Sequence, residues 1–206
     1  PIHLGTNEQP IPESRGEPVL HYTFAPQRFA DSGLFNVQQM RTSPSAGGRH
    51  EVECYVAALN VTGIPGGLYH YNPLTHALEL LDDSFGPEEI GELTYTQRQC
   101  CECSFLCLTT VVSERLAWKY RHPRAYRLWM YDAGHYGQTF ALVCTALGLG
   151  PFQTAAFRDT GLEAALNLDG DSEFAAYMLG AGLVHDSGGA YKLPRDYNFP
   201  PPYNIR

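Results

Sequence analysis

"RAYRLWMYDAGHYGQTFALVCTALGLG", residues 124–150, decides how the rest of the chain must be arranged. Apolar side chains fall around nearly the whole circumference of a helix drawn through it, which predicts a long helix buried on all sides. In a chain this short, one way to bury such a helix is against a partner subunit. Gly148 and Gly150 end it, glycine being the residue that most readily closes a helix.

The flanking segments read as strands and shorter helices. "VECYVAALNV" (52–61) and "FLCLTTVV" (105–112) are buried strands by their β-branched and aromatic content. "GLYHYNPLTHALELL" (67–81) is a hairpin turning at Asn72-Pro73. "GPEEIGELTYTQRQC" (86–100) reads as one amphipathic helix, with Pro87 at its start and Glu88 and Glu89 in its first turn. "PFQTAAF" (151–157) is a short strand, "DTGLEAALNL" (159–168) a helix capped by Asp159, and "EFAAYMLGAGL" (173–183) the last strand. Upstream, "VLHYTFAPQRFADSGLF" (19–35) starts helically and breaks at Pro26. Residues 1–18 read as an N-terminal arm and 184–206 as an extended C-terminal arm, both too rich in proline for regular structure. Strands and helices mixed around one hydrophobic helix define a single α+β domain over 1–206.

Composition narrows the function. The chain has 206 residues, 44% of them hydrophobic and 17% charged, which suits one ordered domain with a real core. Its net charge of −8 argues against nucleic-acid binding. No apolar run approaches the length of a membrane span, and the reading places the protein in the cytoplasm. Four of the six cysteines crowd into "CCECSFLC" (100–107) with no second cluster to complete a tetrahedral set, so no metal is expected and the thiols read as small core residues. The eight histidines show no ligand spacing either.

Two short segments carry chemistry. "RTSPSAGGRHE", Arg41 to Glu51, puts small hydroxyls, a proline and two glycines between arginines just before a strand. Such a loop exposes backbone amides and lets a flat or anionic group approach, but it is equally a polar surface turn. "AWKYRHPRAYR" (117–127) sets Lys119 and Tyr120 behind Trp118. Lysine in a partly desolvated aromatic pocket can act as a base; lysine on a helix connection can also simply be solvated.

Together these blocks, "RTSPSAGGRHEVECYVAALNV…" and "AWKYRHPRAYRLWMYDAGHYGQTFALVCTALGLG…", resemble the SagB-type, McbC-like dehydrogenases of the nitroreductase superfamily, over about Leu20 to Leu183. The resemblance implies an FMN-dependent α+β homodimer, with a central mixed sheet, helices on both faces and the long helix buried. It implies that Ser43, Pro44, Ser45, Ala46 and Gly47 line the flavin, with Arg41 supplying charge near the phosphate or ring oxygens. Thr154, Ala155 and Ala156 would lie along the flavin as well, with Gln138 on the long helix a further candidate. Lys119 and Tyr120 match the catalytic pair of azoline dehydrogenases, which oxidise thiazoline or oxazoline rings of ribosomally made peptides to azoles. A peptide or small-molecule substrate and a cyclodehydratase complex are the implied partners. Of the family's Arg-Arg-Ser-x-Arg segment, which holds the FMN phosphate, only Ser14-Arg15 has a counterpart, leaving Arg15, Arg28, Lys192 and Arg195 as substitutes. Two other functions suit the same sequence: an NAD(P)H-dependent nitro- or quinone reductase, and a flavin-free scaffold that docks a precursor peptide.

Overall fold

The computed structural model describes residues 11–183 apart from Phe35. The chain order is β1 (Ile11–Pro12), α1 (Glu13–Phe24), β2 (Pro26–Asp31), β3 (Val37–Arg41), a short 3-10 turn (Ala46–Gly48), β4 (Val52–Ala58), β5 (Val61–Thr62), β6 (Gly67–Asn72) and β7 (Ala77–Asp82). Then come α2 (Pro87–Leu93), α3 (Arg98–Glu102), β8 (Phe105–Val112), α4 (Ser113–Ala117), a second 3-10 turn (Pro123–Ala125), α5 (Tyr126–Ala146), β9 (Leu149–Thr154), α6 (Asp159–Ala165) and β10 (Glu173–Leu183).

Six strands form the central sheet in the order β7-β6-β4-β8-β10-β9. β8, "FLCLTTVV", is buried at every position but its last, as a strand covered on both faces must be. Its side chains alternate between two cores. Phe105, Cys107 and Val111 join Phe24 of α1 and Tyr136 and Phe140 of α5 on one face. Leu106 and Leu108 join Ile90 and Leu93 of α2 and Leu162 of α6 on the other. The helices therefore cover both faces, as expected.

Several expectations are corrected. Every pairing in the large sheet is antiparallel, so it is not mixed. β4 and β6, β6 and β7, and β9 and β10 pair directly, while β8 crosses back from the β7 edge to lie between β4 and β10; among the described residues parallel pairing is confined to the two-residue β1–β5 ladder. The arm expected over 1–18 does not extend to Pro18, because α1 already begins at Glu13 and carries Pro18 in its interior, where the Ser14 carbonyl goes without the usual donor; residues 1–10 lie outside the described residues. The helix expected over 86–100 is two. Its start is as predicted, with Pro87 at N1 and the Glu89 carboxylate accepting from Gly86 N–H at 2.8 Å. It stops because Tyr95 and Thr96 adopt left-handed backbone, with φ of 54° and 57°, before the chain re-enters α3. Asp159 is the first helical residue of α6 and not its cap; it serves the helix as first-turn negative charge.

The long helix, α5, is buried on one side only. Asp132, Ala133, Tyr136, Gly137, Thr139, Phe140 and Cys144 face the fold. Tyr126, Met130, Tyr131 and Leu142 are each about half exposed or more. The apolar circumference is real, but one chain covers only half of it. Gly148, at φ 71°, ends the helix as predicted, while Gly150 already belongs to β9. The C-terminal arm, with Lys192 and Arg195, lies outside the described residues.

Candidate active site

The loop between β3 and β4 is tied down from three directions. Ser43 is fully buried, and its Oγ donates to the Thr23 carbonyl of α1 at 2.7 Å. Ala46 N–H donates to Asp132 Oδ2 of α5 at 2.7 Å. Ser45 Oγ accepts from His50 N–H at 2.8 Å and donates to Glu51 Oε2 at 3.1 Å. Within this frame Gly47 and Gly48 take φ of 63° and 65°, a conformation costing about 1–2 kcal/mol for a residue with a β-carbon. The glycine pair of "SPSAGG" is thus a requirement of the backbone, while its two serines serve through their hydroxyl bonds.

His50 also sits in the left-handed region, at φ 49°, and its ring makes two bonds that hold it there. Nε2 lies 3.0 Å from the Gln39 carbonyl, which can only accept, so Nε2 carries the proton. Nδ1 then accepts from Tyr136 Oη at 3.2 Å, and Tyr136 in turn accepts from Arg41 Nη1 at 3.3 Å. Burial and the Arg41 charge lower the His50 pKa to about 4, so the imidazole is neutral. Glu51 is wholly buried, and burial together with a hydrogen bond to Asp132 raises its pKa to about 8. Its Oε1 meets no ordinary donor among the described residues. A protonated Glu51 that donates to Asp132 satisfies both carboxyl groups.

Lys119 and Tyr120 reach this loop from the far end of β8. Val52 pairs within one residue of the end of β8, and Val112 N–H donates to Glu51 O at 2.8 Å, so α4 and the segment after it stand beside the loop. The amides of Lys119 and Tyr120 both donate to Leu116 O at 3.0 Å, and Leu116 is fully buried. This turn aims both side chains at Gly47. A β-carbon built there would meet Lys119 Nζ at 2.8 Å, Tyr120 Oη at 2.8 Å and Lys119 Cδ at 2.9 Å. The two segments singled out in the sequence, more than seventy residues apart, therefore touch.

The expected burial of Lys119 is not observed in the single chain. Trp118 is 58% exposed and Lys119 is exposed, because the segment after the five-residue α4 runs along the surface. Trp118 instead packs against the Arg49 guanidinium, 5.3 Å from the ring centre. Arg15 and Arg28 are exposed on α1 and β2.

Two further groups of candidates stand apart from the loop. Gln138 is exposed on α5, two residues and so about 200° of helix rotation away from Tyr136. Thr154, Ala155 and Ala156 lie at the end of the edge strand β9, with Thr154 Oγ1 accepting from Ala156 N–H at 3.1 Å. That strand is three positions from β4 in the sheet, roughly 14 Å. Pro44 is exposed at the start of the loop. The cysteines lie in or beside the core, and burial raises the thiols of Cys100, Cys103, Cys107 and Cys144.

The sequence reading missed His50, Glu51, Asp132 and Tyr136. The signal for them was faint: a histidine and a glutamate directly after a glycine pair, and one acid in an otherwise apolar helix.

A six-stranded antiparallel sheet between helices, with a glycine loop and a Lys-Tyr pair meeting at one end, defines a class, and the comparisons agree with it. Residues 8–183 match the nitroreductase family, and the chain belongs to that family. It is 32% identical over 192 residues to the trifolitoxin-processing protein TfxB of Rhizobium leguminosarum bv. trifolii, covering 89% of this chain and 51% of TfxB. The chain thus spans about half the length of that relative. Among solved structures it resembles the Escherichia coli microcin synthetase McbBCD complex with truncated pro-MccB17 bound, at 22% identity and TM-score 0.73, over 90% of this chain and 69% of that one. It also resembles a protein from Desulfovibrio desulfuricans, named as a nitroreductase in complex with FMN, at 12% identity and TM-score 0.56, over 97% and 94% of the two chains. At these identities the two structures speak to the fold alone.

Proposed function

We propose that this chain is an FMN-dependent oxidoreductase that oxidises thiazoline or oxazoline rings in a ribosomally made peptide to azoles. The observation that carries the reading is the contact of Lys119 Nζ and Tyr120 Oη with the face of Gly47. The loop fits a planar cofactor. It is built of small residues, it is rigidly tied by Ser43, Ala46 and Ser45, and it has the Arg41 guanidinium beside it to favour negative charge. The processing role of the relative TfxB supports a peptide substrate, and the McbBCD fold neighbour is compatible with cyclodehydratase partners.

FMN, when bound, supplies the acceptor for the hydride that leaves the ring carbon. The protein handles the proton. Aromatising an azoline removes one hydride and one proton, and the Lys119 amine, in its neutral form, takes the proton at Nζ. Tyr120 Oη orients the ring or relays that proton. Ser45, Ala46 and Gly47 would line the cofactor, with Arg41, fixed by Gln39 and Tyr136, beside it.

Assembly from two copies joins the groups that one chain keeps apart. The exposed stripe of α5 (Met130, Tyr131, Leu142) suits a homodimer interface; Gln138 lies on the same side, and Thr154 to Ala156 would complete the site across it. Desolvation of Lys119 would come from the same contact.

The test is anaerobic single turnover of flavin-loaded protein with a thiazoline peptide. Reduction of the flavin with loss of two mass units from the peptide is the expected result. A flavin reduced by NADPH but not by the peptide would assign the general reductase function instead.

A further inference from the structure

Beside the Gly48 side of the loop lies a polar cavity of about 400 Å³, bounded by β3, the loop, β6 with its turn, and α4. Its walls include Arg41, Arg49, Arg115, His50, His70 and Glu53. Their charges do not balance. Arg115 pairs with Glu53, and His70 lies 3.1 Å from Glu53 and 3.0 Å from Glu79; these acids raise the His70 pKa to about 9, so it is protonated at neutral pH. Those two cations and two carboxylates cancel, and His50 is neutral. Arg41 and Arg49 remain as uncancelled charge in a chain whose net charge is −8.

Both guanidiniums are held by neutral partners. Arg41 donates from Nε and Nη2 to Gln39 Oε1, at 3.2 and 2.8 Å, and from Nη1 to Tyr136 Oη. Arg49 donates from Nη2 to Gln38 Oε1 at 2.8 Å and stacks on Trp118. Its Nε is buried without an acceptor, and neither arginine forms an ion pair with a carboxylate among the described residues. A guanidinium carries five donors, so most of those on Arg49 remain for a guest. Side chains fixed in place yet left uncompensated are how a protein prepares for an anion with two or more oxygens.

We propose that this cavity is an oxyanion subsite, taking one carboxylate or phosphate group between Arg41 and Arg49 next to the cofactor loop. Two sources present that chemistry: an acidic residue of the substrate peptide, and the phosphate of the nucleotide cofactor. The rim, with Val37 and Leu74 both more than 60% exposed, offers apolar contact to whatever carries the anion.

The experiment follows the Nε–H resonances of Arg41 and Arg49 in ¹⁵N-labelled protein during titration with glutarate or inorganic phosphate, against sodium chloride at equal ionic strength. Saturable shifts at millimolar probe are expected, with affinity at least tenfold weaker in Arg49→Gln and in Arg41→Gln. Arg49→Lys and Arg41→Lys keep the charge, lose the fork and should fall between, which guards against a glutamine variant that fails to fold. Shifts no different from those in chloride, or unchanged affinity in all four variants, would overturn the subsite. The source is then separated by two comparisons. Loss of the FMN-over-riboflavin preference in Arg49→Gln assigns the phosphate. An intact preference, with weakened binding of an acidic peptide but not of its Glu→Gln analogue, assigns the substrate. Neither readout needs turnover, so the subsite can fail while the dehydrogenase reading stands, and the reverse.

Discussion

Lys119 Nζ stands 2.8 Å from the point where Gly47 would carry a β-carbon, closer than a packed carbon allows. The chain brings its candidate base onto its candidate cofactor loop with no room for a side chain between them. Gly47→Ala therefore has two costs: the left-handed φ of 63°, worth about 1–2 kcal/mol, and displacement of Lys119 and Tyr120. Gly47→Val adds further bulk at the same point. Both variants should retain FMN less well than the parent, valine the worse, as measured by flavin absorbance after gel filtration. Full retention by Gly47→Val would mean that the loop does not line the cofactor.

Glu51 and His50 make stability depend on pH in opposite senses. Glu51 has its pKa raised from 4.5 to about 8 on folding, so its contribution is complete below 4.5 and is lost as pH rises through 8. His50 has its pKa lowered from 6.5 to about 4, so its contribution is complete above 6.5 and is lost as pH falls through 4. Between 4.5 and 6.5 the two slopes oppose each other. Between 6.5 and 8 the Glu51 loss, at up to about 1.4 kcal/mol per pH unit, runs in the same sense as that of His70, whose pKa is raised from 6.5 to about 9 and whose contribution also falls over this window. Urea denaturation should show stability falling over that window in the parent and falling less steeply in Glu51→Gln, whose amide copies the protonated acid and leaves the His70 slope alone. An unchanged slope in Glu51→Gln would remove the shared proton from this description.

The outer face of α5 should mediate self-association. Met130→Glu with Leu142→Glu places two charges on that face and touches nothing in the fold's interior. Sedimentation is expected to show a dimer for the parent at micromolar concentration and a folded monomer for the double variant. A parent that sediments as a monomer would leave Gln138 and Thr154–Ala156 without a route to the loop.

What the sequence disclosed, and what it hid, divides along a physical line. The strands "FLCLTTVV" and "EFAAYMLGAGL" fall at the predicted residues, because burial on both faces demands an apolar run that little else in a chain resembles. The break at Tyr95 and Thr96 was invisible, since neither residue is a usual left-handed one. The loop and the Lys-Tyr pair were legible as two fragments. Their contact was not, because it depends on β4 pairing with β8. Glu51 and Asp132 escaped for the same reason: a buried carboxyl pair reads as two ordinary acids until the fold places them together. The exposure of the outer half of α5 was hidden too, because hydrophobicity around a helix says that it is covered and not by which chain.

The central claim is tested most directly at Lys119. A positioned base contributes on the order of a hundred- to ten-thousand-fold in rate. Flavin reduction is followed in anaerobic single turnover with a thiazoline peptide, comparing the parent with Lys119→Ala, Lys119→Arg and Tyr120→Phe. Lys119→Ala should lose about that factor while its FMN content and thermal unfolding match the parent. Lys119→Arg should fail nearly as far, because a guanidinium stays protonated, and Tyr120→Phe should be milder. Flavin reduction at the parent's rate in Lys119→Ala would contradict the assignment and leave Lys119 a surface lysine resting on a glycine.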